Sequence, residues 1–205
     1  MKTFFKPWQG KHYYNNVLFP KRIMALGESH YCDKGCVDCG NASLHSECVS
    51  FTSDVIGCYL NPTTDREGWM NTYRKFERSL VGKETSNDDS IKIWNSLSFY
   101  NFLQVAMYCP RKAGTYLEYA DAAKSFFDIL EQYHPDVLIV WGIRLWNHLP
   151  NEYWEDGEAI EIDGYAVSNG YYNLPQGHKV RAFAVYHPSA GYDWEYWHKV
   201  ISKFI

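Results

Sequence analysis

The chain alternates short, wholly apolar runs with longer segments whose apolar residues recur every three or four positions. Arg22-Ile23-Met24-Ala25-Leu26 closes on Gly27 and reads as a buried strand entering a loop. Val137-Leu138-Ile139-Val140-Trp141 repeats that form before Gly142, and residues 159–165 and 180–186 read as two further strands. Trp69, Tyr73, Phe76 and Leu80 share one helical face over residues 66–80, with Gly82 as the stop. Ala122, Ala123, Phe126, Phe127 and Leu130 do the same over 119–133, and 193–204 reads as a closing helix. Thr52-Ser53-Asp54 is expected to cap a short helix to about Leu60, and Gly142 to open one through Leu149. Residues 93–105 are apolar but keep Asn95, Asn101 and Gln104, and read as a helical turn followed by a strand. Residues 82–89 and 109–114 read as loops.

Helices alternating with buried strands predict a single α/β domain over residues 1–205, built as three layers, α/β/α. Residues 32–50, rich in Cys, Gly, Asp, Asn and Ser, read as an irregular insertion held by something other than a core, followed by helices to about residue 82. Ligands in α/β folds gather where the strands end. Gly27-Glu28-Ser29-His30-Tyr31, Gly142 and His187-Pro188-Ser189 all follow predicted strand ends, so the sequence predicts one shared pocket.

Composition narrows this picture. The formal net charge of -4 denies the chain the overall basic field of a strong nucleic-acid binder, so any such contact is local or limited to a small ligand. Seventeen Tyr and eight Trp supply flat, amphipathic surfaces suited to gripping planar ligands or to filling the core. No apolar run is long enough to cross a bilayer, and Met1-Lys2-Thr3-Phe4-Phe5-Lys6-Pro7-Trp8 lacks a signal-peptide core; the expected location is cytoplasmic. There, cysteines read as thiols or metal ligands rather than disulfides. Cys32-x3-Cys36-x2-Cys39-x8-Cys48 packs four thiols into one short span, with His45 close by, and Gly40 permits the tight turn of a Cys-x2-Cys pair. The spacing suits a structural zinc ion; an iron–sulfur cluster and free thiols are the alternatives. Cys58 and Cys109 stand apart and read as small apolar residues.

The order of these signals resembles the uracil-DNA glycosylase superfamily. A strand leads into Gly27-Glu28-Ser29-His30-Tyr31; Asn101 follows in an apolar segment; then come Val137 to Gly142 and finally Tyr186-His187-Pro188-Ser189. The resemblance spans residues 22–31 and 93–204 and leaves out the Cys-rich insertion and the helix after it. It implies a central, mostly parallel four-stranded sheet flanked by helices. It also implies a nucleobase in DNA, or a nucleobase-containing ligand, as the partner. A glycosylase flips the base out of the stack and stabilises an oxocarbenium-like sugar. By resemblance His187 faces the base oxygen and Asn101, an amide with both donor and acceptor, reads the base edge. Tyr31, Phe99 or Tyr100 stacks on the base, and Gly27, His30 and Ser189 line the site. The first loop departs from the family: Ser29 replaces the Asp that positions water in its most active members, and His30 replaces Pro. Glu28 is the remaining carboxylate there. Some branches lack that Asp and still cleave, so two readings stay open: hydrolysis of an N-glycosidic bond, or a pocket that binds without turnover. The Cys-rich insertion is, as a third possibility, a surface for a protein partner. Lys11, Lys21, Arg22, Arg111, Lys112 and Arg144 are the candidates for a basic rim.

Overall fold

A computed structural model of the chain describes residues 3–15, 17–32, 34, 39–40, 43–189 and 191–205. In chain order the strands are β1 (Trp8–Gln9), β2 (Ile23–Gly27), β3 (Ser98–Asn101), β4 (Val137–Trp141), β5 (Trp154–Asp156), β6 (Ile160–Ile162), β7 (Tyr165–Val167), β8 (Asn169–Asn173) and β9 (Lys179–Val185). The helices are α1 (Phe51–Leu60), α2 (Met70–Val81), α3 (Asn87–Trp94), α4 (Tyr116–Tyr133), α5 (Ile143–Trp146) and α6 (Trp194–Ile201). The fold is mixed α/β around a sheet whose order is β1-β3-β2-β4-β9-β8-β5.

Four strands, β3, β2, β4 and β9, run parallel through the middle of this sheet. Antiparallel additions widen it to seven: β1 on one edge, and β8 and β5 on the other. This corrects the four-stranded expectation. The added strands are short, or carry Tyr-Gly-Asn patterns, as in Asn169-Gly170-Tyr171-Tyr172-Asn173, that do not read as buried runs. Residues 159–165, read from sequence as one strand, instead form most of a separate hairpin, β6 and β7, turning at Asp163-Gly164, where both residues have positive φ.

The parallel strands are apolar on both faces because helices cover both. Ile23, Ala25, Val137, Ile139, Phe183 and Val185 point toward the layer of α1, α2, α3 and α6. Their neighbours Met24, Leu26, Leu138, Val140, Val180 and Ala182 point toward α4 and α5. Each fully buried side chain of this size stabilises the fold by roughly 1.5–3 kcal/mol. Helix α4 starts where Thr115 and Glu118 form a capping box, one turn earlier than its apolar stripe suggests. Helix α2 starts later than expected, at Met70, and ends at Gly82 with φ +69°. Residues 82–89 do not stay a loop: Ser86 and Asp89 make a second capping box and start α3. Thr52 does not cap α1 but lies buried inside it, and α5 is one turn long rather than reaching Leu149. Among the described residues no helix is long and apolar enough to cross a membrane.

Candidate functional site

Because β2, β3, β4 and β9 are parallel, their last residues share one edge. Gly27 pairs with Asn101 across β2 and β3, and Trp141 with Val185 across β4 and β9. The chain leaving β2 stays tied to the chain leaving β3. Phe102 N–H donates to Gly27 O, Leu103 N–H to Glu28 O and Met107 N–H to His30 O, at 2.8–2.9 Å. Gly27 is required here by space: a Cβ would overlap Asn101 Oδ1 and press on the Phe99 ring. The Gly142 turn that ends β4 meets the His187 loop that follows β9. Gly142, at φ +100°, donates to Val185 O, and a Cβ on it would touch His187.

His187 is half-buried, and burial pushes its pKa below the ordinary value; Glu28 opposes this and Arg144 adds to it. Its Nδ1 accepts the backbone N–H of Ser189 at 3.2 Å and lies 2.8 Å from Ser189 Oγ. An acceptor at Nδ1 puts the ring proton on Nε2. The neutral ring therefore keeps its one N–H donor at Nε2, the nitrogen away from Ser189. Ser189 is a positioner of this ring, while Pro188 beside it is buried.

Glu28 is the most heavily engaged residue of the first loop. Arg144 Nε donates to both its carboxylate oxygens, at 2.9 and 3.0 Å, and Tyr119 donates its hydroxyl to Oε1. Arg144 is raised further above its usual range by this carboxylate, and Tyr119 is raised first by burial and then by the Glu28 bond. Arg144 also donates to Arg111 O, and Tyr119 stacks on His148 at 4.1 Å. The carboxylate is thus occupied by two partners from α4 and α5. Half-buried Ser29 lies between it and His30.

His30 takes a role that the sequence reading did not give it. It is 5 % exposed, wedged edge-on to Phe5 and stacked at 4.6 Å on Phe51, and burial pushes its pKa down to about 3. Its Nε2 lies 3.0 Å from Thr52 Oγ1, and Asn101 Nδ2 is 3.2 Å from the ring nitrogens. With the proton on Nε2, Thr52 accepts from the ring and Nδ1 accepts from Asn101. His30 thus ties Asn101 to the start of α1 rather than facing solvent. Tyr100 is a second correction. Strand alternation turns it to the α4 face, where it is 0 % exposed and accepts from Gln104 Nε2 at 2.7 Å; it cannot stack on a ligand. Phe99, one residue earlier, faces the opposite layer beside Trp141, at 4.9 Å. Tyr31 is 46 % exposed, with its hydroxyl accepting from Arg111 N–H at 3.4 Å, and is the accessible aromatic of the loop.

Sequence reasoning passed over Tyr119 and Trp141, and gave Arg144 only a place on the rim. Trp141 is buried edge-on to His187, 6.1 Å between ring centres, and its Nε1 has no hydrogen-bond partner among the described residues. Orphan buried donors are rare in folded proteins. The signal was available for Trp141 and Arg144, which flank Gly142 at a strand end. Nothing local marks Tyr119. Of the basic candidates, Arg111, Lys112 and Arg144 lie at this edge. Lys21 and Arg22 precede β2 at the opposite end, bonded to Phe204 O and Asp136, and Lys11 lies beside Asn95.

Two cavities flank this edge. One, of about 330 Å³, is lined by Cys32, Cys39, His45 and Cys48 together with Phe5, Phe51, Tyr108 and Lys112. The other, of about 280 Å³, lies by Trp146, Trp154 and Tyr172. Cys36, the fourth thiol of the expected metal set, lies outside the described residues. Among those described, no three His, Cys, Asp or Glu side chains stand together closely enough to hold a metal. The fold is mixed α/β with a mostly parallel central sheet, and His187 follows the carboxyl end of one of its parallel strands. No protein-family model and no curated protein matches the chain.

Proposed function

We propose that this edge is a nucleobase site of the uracil-DNA glycosylase type, acting on the N-glycosidic bond of a base flipped from DNA. The observation that carries the reading is the neutral His187 ring, fixed by Ser189 so that Nε2–H is its donor, at the strand edge that also holds Asn101. A fixed neutral donor can take up charge developing on a carbonyl oxygen of the departing base. Helices on both faces of four parallel strands agree with the three-layer architecture of that superfamily. In this reading Asn101 reads the base edge, Tyr31 stacks, and Gly27 leaves room for Asn101. Glu28 supplies negative charge near the electron-poor sugar, Ser29 holds the water, and Arg111, Lys112 and Arg144 meet phosphate. A local basic patch of this kind reconciles a DNA partner with the net charge of -4.

A second reading, binding without turnover, is favoured by one observation: both carboxylate oxygens of Glu28 are already engaged by Arg144 and Tyr119, which leaves neither open to a water. A cleavage assay on uracil-containing and damaged DNA, single- and double-stranded, separates the two. The hydrolase reading expects base release that falls about 100-fold or more in His187→Ala. Absence of release by the native chain, with the same DNA bound, would leave the binding reading in its place. Release unchanged in His187→Ala would remove this site from the chemistry.

A further inference from the structure

The chain between β3 and α4 passes through Tyr108 to Leu117, a segment that sets exposed aromatic rings beside cations with no counter-charge. Tyr116 and Leu117, at 83 % and 70 %, are the most exposed large apolar side chains among the described residues, and Tyr108 is 62 % exposed. Lys112 Nζ lies over the Tyr108 ring, 3.8 Å from its centre. Among the described residues no carboxylate stands in ion-pair range of Arg111 or Lys112. Glu118, the nearest acid in sequence, is occupied by the capping box with Thr115. These side chains stand on a fixed backbone. Just before them, Met107 N–H bonds to His30 O. Arg111 holds φ +66°, a left-handed conformation uncommon for a residue with a side chain, where its N–H donates to the Tyr31 hydroxyl and its carbonyl accepts from Arg144. Gly114 sits so tightly that a Cβ would come within 2.7 Å of buried Leu103. The strained residue is thus bonded on both sides to residues of the candidate site.

We propose that this segment is a platform for single-stranded DNA, which makes a single strand, rather than a duplex, the substrate of the site. The choice of DNA rests on the nucleobase reading. Two physical terms decide the strand form. A duplex stacks its base faces away and is gripped through its phosphates, which calls for many cations. This chain carries a net charge of -4 and offers Arg111 and Lys112 here. A single strand exposes its base faces, and an aromatic ring beside a cation stacks a base while the cation meets the phosphate. Tyr108 with Lys112 is such a pair, and Tyr116 with Leu117 adds a second apolar surface. A base with no pairing partner also costs least to bring into a pocket. Tyr31, whose hydroxyl holds Arg111, joins the platform to the ring that stacks on the base in that reading.

Fluorescence anisotropy with uracil-free oligonucleotides of one length, single-stranded and paired, tests this without any cleavage. The full chain is expected to bind the single strand about tenfold or more tighter than the duplex. Tyr108→Ala and Tyr116→Ala are each expected to weaken single-strand binding about tenfold, the loss of one stacked base. Tyr14→Ala removes an exposed ring at the far end of the sheet and is expected to change nothing. The slope of log affinity against log salt is expected to be shallow, about −1.4 for the two phosphates that Arg111 and Lys112 reach. A single strand carrying 5-iododeoxyuridine is expected to cross-link to Tyr108 and Tyr116 under ultraviolet light, a readout that needs no variant. Duplex bound as tightly as single strand, a salt slope several times steeper, binding unchanged in both tyrosine variants, or no binding of either oligonucleotide would overturn the proposal. Single-strand preference without base release would remove the hydrolase reading and keep the platform. Base release by a chain that binds both strand forms alike would remove the platform and keep that reading.

Discussion

The chain between β2 and β3 is held in two different ways. Residues 51–97 carry α1, α2 and α3, packed by Ile56, Tyr59, Phe76, Leu80 and Trp94 against one face of the sheet. At their centre Glu77, with no exposure, accepts hydrogen bonds from Tyr59, Thr85, Ser90 and Trp94, so one carboxylate joins all three helices. Residues 32–50, immediately before, have no buried side chain among those described, and Cys32, Cys39 and Cys48 line a cavity. One half closes by apolar burial around a satisfied polar centre. The other, among its described residues, is tied at its ends by main-chain hydrogen bonds and turns thiols to a cavity. The difference teaches that an insertion closes most securely where it can bury a core, and that His30, gripped by Phe51 and Thr52, is anchored in the half that has one.

The largest effect that would test this contrast is at Glu77. Glu77→Ala leaves three buried donors and the half-buried Thr85 without their acceptor and is expected to cost on the order of 3–5 kcal/mol, read as a lower midpoint in urea denaturation. A loss under about 1 kcal/mol would mean that the three helices do not depend on this centre. The next effect is at the junction. His30 is neutral when folded, with its pKa pushed down to about 3, and titrates at its ordinary 6.5 when unfolded. The unfolded chain therefore binds the extra proton first as pH falls. Stability is full above pH 6.5 and declines below it by about 1.4 kcal/mol per pH unit. His30→Gln is expected to flatten the slope between pH 6.5 and 5, where most carboxylates remain ionised; an unchanged slope would show that the ring is not sealed. The smallest effect is at Tyr100. Tyr100→Phe removes one buried hydrogen bond to Gln104 and is expected to cost about 1 kcal/mol while leaving ligand affinity unchanged. A change in affinity would return Tyr100 to the site.

The parallel strands were legible because each is a short apolar run ended by glycine or by a polar loop. That is how Ile23–Gly27 and Val137–Trp141 were found within a residue. The edge strands were not, because Trp8–Gln9 and Trp154–Asp156 are too short and too exposed to carry a periodic signal. Strand parity was the other blind spot. Phe99 and Tyr100 are both apolar and adjacent, and in a sheet buried on both faces nothing in the sequence says which of them looks toward a ligand. His30 read as a loop residue facing the pocket because the partners that bury it, Phe5, Phe51 and Thr52, lie some twenty or more residues away.

The sequence by itself determined where strands end, which loops follow them, and that a cluster of thiols lies directly after the first of those loops. These are local properties, fixed by periodicity, glycine and spacing. Only the tertiary structure decided that Glu28 is held by Tyr119 and Arg144, 91 and 116 residues away, that Ser189 sets the proton on His187, and that Asn101 is tied to α1 through His30. Those roles depend on which distant groups share a desolvated space. In such a space an ion pair or a hydrogen bond changes what a side chain can do, and that neighbourhood is assembled by the fold rather than written along the chain.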